Sequence, residues 1–292
     1  MLNLSFCLIL VVFVAIAASE PLPVNVVSGI INGVTVAPTI KRRGENTMPN
    51  TGQHPYIIAI DTHKNDCGGV LIKRNVVLTA AHCTLVQKSF LVTAGAFEFD
   101  YLLSQYKQQL RVDLDDIIRH PGFQRLPTGN VNDIAILKLK NNFILNKYVK
   151  TIKLATDDHI GEEALVLGWG STGGPNPKIN DVLLKADLRI IRHDRCKNIF
   201  KKVKNDIIND SMLCAIHDNK MKTICKGDSG TPLIIPNDQG PSDDVLVGIS
   251  SWGVRTLSKD KTYEECNPNY PAVFARITTF RSWIIENANL KK

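Results

Sequence analysis

Short apolar runs separated by turn residues dominate the chain, and this texture narrows what it can fold into. PYIIAI (55–60), GGVLI (68–72), NVVLTA (75–80), FLVTAG (90–95) and DIAILKL (133–139) form one group. EALVLGWG (163–170), VLLKADLRII (182–191), TPLIIP (231–236), VLVGISSW (245–252) and AVFARI (272–277) form another. Many short strands at this spacing predict an all-β sandwich or a pair of barrels. Two stretches break the pattern. Residues 194–204 are basic and amphipathic, and TTFRSWIIENANL sets Phe280, Trp283, Ile284 and Asn287 at helical spacing. Both predict helices that pack on the body.

Residues 1–19, MLNLSFCLILVVFVAIAAS, hold no charged side chain. The apolar run Phe6–Ala18 is short for a membrane span, and it ends among the small residues Ala15, Ala17, Ala18 and Ser19. It reads as a secretory signal peptide over 1–18, before a short propeptide over 19–29 and one domain over 30–292. A membrane anchor is the alternative. Loss of the signal removes Cys7 and leaves Cys67, Cys83, Cys196, Cys214, Cys225 and Cys266. An even count in an exported chain implies disulfides, with fifteen possible connectivities. Neither C-x-x-C nor a paired-histidine motif is present, so no metal is expected.

With 44% hydrophobic and 22% charged residues the chain can bury a full core without a partner, as a monomer. Its formal charge of +7 gathers in Lys41-Arg42-Arg43 and in KNIFKKVK (197–204). No nucleic-acid module or aromatic interleaving accompanies these runs, which read as solvated faces. Asn209-Asp210-Ser211 is a glycosylation sequon.

Three stretches carry chemistry: Thr79-Ala80-Ala81-His82-Cys83, Asp133-Ile134-Ala135-Ile136-Leu137 and Gly227-Asp228-Ser229-Gly230. A serine hydroxyl is a poor nucleophile until an imidazole takes its proton, and the imidazole needs a carboxylate to fix its tautomer. Alone, each stretch reads as a core histidine, a turn aspartate or a tight turn. Together, in the order His, Asp, Ser, they point to nucleophilic catalysis.

From Ile30 to Lys292 the sequence resembles the chymotrypsin-like (trypsin-like) serine proteases. The resemblance rests on Ile30-Ile31-Asn32-Gly33, Cys67-Gly68-Gly69, the His82 stretch, Gly168-Trp169-Gly170, Gly227–Gly230 and Ser251-Trp252-Gly253. It implies two packed six-stranded antiparallel β-barrels with a C-terminal helix and an active site in the cleft between them. It further implies Ser229 as nucleophile, His82 as general base and acid, and Asp133 as the orienting carboxylate. Gly227 and Ser229 would supply the oxyanion N–H groups, and the disulfides would be Cys67–Cys83, Cys196–Cys214 and Cys225–Cys266. Asp228 would pair with a new amino terminus at Ile30 after an activating cleavage. No metal or organic cofactor is implied. The expected partners are protein or peptide substrates, an activating protease and protein protease inhibitors.

The sequence departs from the family in several places. Val27-Ser28-Gly29 precedes Ile30 where a basic residue is usual, so a non-tryptic activating enzyme is expected. Thr231 stands where glycine is usual, and a β-branched side chain there needs ordinary backbone angles and some room. The pocket is expected to be lined by Thr223, Ile224, Ser251, Trp252, Gly253 and Ala272, with Lys226 at its rim. Thr223 occupies the base, where a trypsin would carry aspartate. An arginine or lysine side chain would enter unpaired, so cleavage after Leu, Met or Phe is expected. Residues 41–51 and 254–265 read as insertions. A non-catalytic homologue acting as a secreted binding or regulatory protein is the competing expectation.

Overall fold

The computed structural model describes residues 34–35, 53–61, 67–85, 89–96, 107–171, 179–180, 182–202, 205, 207–257 and 264–290. The expected signal peptide, the propeptide, Ile30 and the 41–51 insertion lie outside the described residues, as do residues 258–263 of the second insertion.

The first half contributes β1 (Val34–Thr35), β2 (Ile57–Asp61), β3 (Cys67–Lys73), β4 (Val76–Thr79), β5 (Ser89–Ala94), β6 (Gln108–Asp113) and β7 (Ile117–Arg119), then β8 (Gln124–Leu126), β9 (Gly129–Val131) and β10 (Ala135–Lys138). The second half contributes β11 (Lys153–Leu154), β12 (Glu163–Gly168), β13 (Leu184–Ile191), α1 (His193–Lys202), β14 (Met212–Ile216), β15 (Pro232–Ile235) and β16 (Val245–Trp252). It ends with β17 (Arg255–Leu257), β18 (Glu264–Cys266), β19 (Ala272–Arg276) and α2 (Ile277–Ala288).

Two β-barrel-like sheets result, as expected. The first runs β6-β5-β2-β3-β4-β10-β7, seven strands in all. The second runs β13-β12-β15-β16-β19-β14, and β14 pairs back onto β13, which closes a ring of six. β1 adds to β13 and β11 lies parallel to β16. One apolar core spans both sheets, with Val70, Leu78 and Ile136 from the first and Val166, Leu233 and Phe274 from the second. A smaller cluster around Phe200, Met212 and Val273 seats α1.

Helix α2 buries Ile277, Phe280, Ile284 and Ala288, one stripe at the helical period. Asn287, expected on that stripe, instead donates from Nδ2 to Trp283 O, and Trp283 is half-buried against His120. Among the described residues no helix is long and apolar enough to cross a membrane.

Candidate active site

Strands β4 and β10 run antiparallel with Thr79 opposite Ala135. The chain leaving β4 and the chain entering β10 therefore lie side by side. His82 sits just past the end of β4, in a single 3-10 turn over Ala81–Thr84, and Asp133 just before the start of β10. The side chains meet: His82 Nδ1 lies 2.7 Å from Asp133 Oδ2, while Asp133 Oδ1 accepts the His82 backbone N–H at 2.9 Å. The Cys67–Cys83 disulfide ties this turn to the start of β3. Asp133 is 2% exposed and His82 19%, so the carboxylate is sealed while the imidazole reaches the surface. Asp133 Oδ2 also accepts from Ser251 Oγ at 2.5 Å and Asn130 Nδ2 at 3.0 Å. A carboxylate can only accept, so the imidazole carries its ring proton on Nδ1 and keeps Nε2 as an acceptor.

Ser229 arrives from the other barrel. The turn before β15 contains Gly227 at φ +97° and Gly230 at φ +80°, a region that glycine enters without strain. A Cβ on Gly230 would collide with Gly68 O and Thr79 Oγ1, so the turn presses directly on the first barrel. Gly68 N donates to Ser229 O at 2.7 Å, and Gly230 N to Ser250 O at 2.8 Å. Ser229 is thereby held against β3 and the end of β4, where the His82 turn begins. Among the described residues, no group accepts a hydrogen bond from the N–H of Gly227 or of Ser229.

Thr231 finds both room and partners. It is fully buried, its Oγ1 donates to Asp228 O at 2.7 Å and lies 3.1 Å from Ser250 Oγ, and its methyl fills the space over Gly68.

Asp228 is fully buried. Its carboxylate accepts from Gly170 N at 2.9 Å and from Cys225 N at 2.8 Å. A Cβ on Gly168 or Gly170 would strike this carboxylate, which gives the Gly-Trp-Gly stretch its physical reason. Burial pushes the carboxyl up to about 7, opposed only in part by the two N–H donors. No cationic side chain among the described residues pairs with it.

The expected pocket residues fall on adjoining segments. Ser251 and Trp252 end β16, Ala272 begins β19, and the register pairs Trp252 with Val273. Thr223 and Ile224 are buried in the segment leading to Cys225, and a Cβ on Gly253 would come within 3.7 Å of Ile224 Cγ1. The Ser251 hydroxyl is directed to Asp133. Lys226 is exposed and its carbonyl accepts from Ser171 N. Cys196–Cys214 ties α1 to β14, and Cys225–Cys266 ties the segment before Ser229 to β18. Asn209 is half-buried in the turn before β14, with Oδ1 accepting from Ser211 N and Oγ. The one group of side chains spaced to hold a metal among the described residues, Cys67, His82 and Cys83, has both sulfurs in a disulfide.

Sequence reasoning missed Asn130. Its neighbours Thr128 and Gly129 mark a hairpin turn, and nothing local signals a contact with Asp133.

A family model described as trypsin matches residues 43–284. Kallikrein-7 of Homo sapiens is 31% identical over 243 residues, covering 82% of this chain and 84% of its own length. Phenoloxidase-activating factor 3 of Holotrichia diomphalia is 30% identical over 271 residues, 85% of this chain and 72% of that protein. Among solved structures, neuropsin, a serine protease expressed in the limbic system of mouse brain, superposes with a TM-score of 0.65 at 29% identity. The superposition covers 82% of this chain and 96% of the neuropsin chain.

Proposed function

The chain belongs to the trypsin family and is a serine endopeptidase; from that premise we propose that Ser229, His82 and Asp133 form its catalytic triad. His82 Nε2 takes the proton of Ser229 Oγ as the oxygen attacks the scissile carbonyl, and later gives it to the departing amine. Water then repeats the sequence on the acyl-enzyme. Asp133 holds the imidazole in the required tautomer. The unengaged N–H groups of Gly227 and Ser229 receive the oxyanion, a donation worth about 100- to 1,000-fold in rate per donor in such enzymes. The observation that carries this reading is the 2.7 Å contact between His82 and a sealed Asp133 on the same barrel edge that receives the Ser229 turn.

The substrates are proteins, cut after Leu, Met or Phe. Thr223 and Ile224 in place of a buried carboxylate support this, as does Ala272 in the wall. With activated enzyme and matched peptides differing only in the residue before the scissile bond, leucyl and phenylalanyl peptides should turn over at least about tenfold faster than the arginyl one. A faster arginyl peptide would sink this preference.

Activation follows a cut at Gly29-Ile30 by a non-tryptic protease, and the new α-amino group of Ile30 pairs with Asp228. A buried carboxylate that meets no cation among the described residues supports this switch. Amino-terminal sequencing of active enzyme should read Ile-Ile-Asn-Gly; a start at Gly44 would refute the site. Export is supported by the apolar leader and the three disulfides.

A further inference from the structure

We propose that Asn130 is a positioning residue for the triad: its side-chain amide locks the Asp133 carboxylate, and the second barrel sets where that amide sits. The inference rests on the catalytic reading above and concerns a residue outside its triad.

The β8–β9 hairpin has three residues in each strand, and all of β8 is exposed. A ribbon so small does not hold its own shape in water. Here it is docked on groups from the second half of the chain. Asn205 Nδ2 donates to Thr128 O at 2.9 Å. Gly129 sits at φ +148°, where a Cβ would lie 2.6 Å from both Ile207 Cδ1 and the Trp252 ring. The Trp252 indole N–H points to Asn130 O at 3.3 Å, and the indole itself is braced edge-on by Phe200 at 5.2 Å. The backbone of Asn130 is thus fixed from α1 and β16.

Its side chain then reaches the opposite way. Nδ2 lies 3.0 Å from Asp133 Oδ2 and 3.3 Å from His82 Nδ1. Asp133 can only accept, so the amide nitrogen, not its oxygen, faces the carboxylate. His82 Nδ1 already donates its proton to the same oxygen, so the approach to Nδ1 is proximity and the bond is the one to Asp133. Oδ2 therefore gathers the imidazole, Ser251 Oγ from β16 and Asn130 Nδ2 from β9. The amide and the hydroxyl come from different barrels and together restrain rotation of the carboxylate. Without the amide, the carboxylate keeps its other donors but loses one restraint. The imidazole then spends less time in line with Ser229. Substrate binding does not need that alignment, so the loss falls on the chemical step.

The test uses activated full-length enzyme in three forms: unaltered, Asn130→Leu, which keeps the shape and drops the donor, and Asn130→Asp, which replaces the donor by a second acceptor. Three quantities are read on each: kcat and KM on a leucyl peptide, the rate of fluorophosphonate labelling, and the downfield proton resonance of His82 Nδ1–H. Thermal unfolding is followed in parallel, and both midpoints should stay within about 3 °C, as for other changes at half-exposed positions. Asn130→Leu is expected to lower kcat and labelling about tenfold with KM within about twofold, the scale of one lost hydrogen bond to a charged group. The proton resonance should move or broaden, and Asn130→Asp should be slower still. An unchanged kcat and resonance in Asn130→Leu would overturn the proposal, and so would a raised KM at constant kcat, which would make Asn130 a substrate contact. An unaltered enzyme that never labels, with a resonance that still responds to Asn130→Leu, would overturn the catalytic reading while leaving the positioning intact.

Discussion

Asp133 and Asp228 are both sealed carboxylates beside the junction of the barrels, but their surroundings differ. Asp133 receives two donations from His82, one from Ser251 and one from Asn130, and a titratable base is among its partners. Among the described residues Asp228 receives only the backbone N–H groups of Gly170 and Cys225, and burial raises its carboxyl to about 7. A buried carboxylate is tolerated when hydrogen bonds and an opposite charge replace its water. On the triad proposed above, the base half has its hydrogen bonds in place, whereas Asp228 meets no cation among the described residues and the proposed Ile30 amino group would supply one.

The largest effect that tests the contrast is on rate. Asp133→Asn keeps the shape but leaves His82 free to take the wrong tautomer. It should lower kcat about 10,000-fold with KM little changed, the loss seen for this substitution in the triad template. A drop smaller than tenfold on the leucyl peptide would mean that the Asp133 pair is ordinary packing.

The next effect is on stability, and it comes from Asp228. The folded chain holds a proton on Asp228 up to about 7, whereas the unfolded chain releases it near 3.8. The contribution of this group is therefore full below the unfolded value and lost as pH rises through about 7, a swing of about 4 kcal/mol. Uncut Asp228→Asn should match the unaltered precursor at pH 4 and exceed it at pH 8 in urea unfolding. After cleavage at Gly29-Ile30 the order at pH 8 should reverse, because only the carboxylate can pair with the new amino group. Equal stabilities at pH 8 before the cut would mean that Asp228 carries no unmatched charge.

A smaller effect of opposite slope comes from His54. Its Nδ1 lies 3.0 Å from Tyr56 Oη, which donates to Asp244 Oδ2 at 2.5 Å, and all three residues are buried. Burial, with Lys185 adding to it, lowers the imidazole to about 4. The unfolded chain binds this proton first, so the stability His54 contributes is present above about 6.5 and lost as pH falls through about 4, some 3 kcal/mol in all. His54→Leu should flatten the acid limb of the stability profile between those values. An unchanged limb would show that His54 is hydrated in solution.

Which parts of this were legible in the sequence follows from the range of the forces involved. Most strands that carry the barrel cores announced themselves as apolar runs, whereas Gly168-Trp169-Gly170 and Gly227–Gly230 were legible only as family motifs, their close approaches to Asp228 and Gly68 appearing with the structure. Strand β14, MLCAI, was not legible, because five continuous apolar residues fit a buried helical turn as well as a strand until β13 and β19 pair with them. Strand β6, QQLRVD, lies at the sheet edge and buries only Val112, so its pattern is mostly polar. Asn130 was hidden for another reason. Its backbone carbonyl meets the indole of Trp252, 122 residues away, and no local periodicity encodes such a contact.

The most direct test of the central claim is fluorophosphonate labelling of the purified protein before and after cleavage at Gly29-Ile30, with Ser229→Ala as control. A preassembled base and a switched nucleophile predict slow labelling of the precursor, labelling at least about 100-fold faster once the cut is made, and none in Ser229→Ala. A cut protein that begins at Ile30 and still fails to label would contradict the account and favour a non-catalytic homologue.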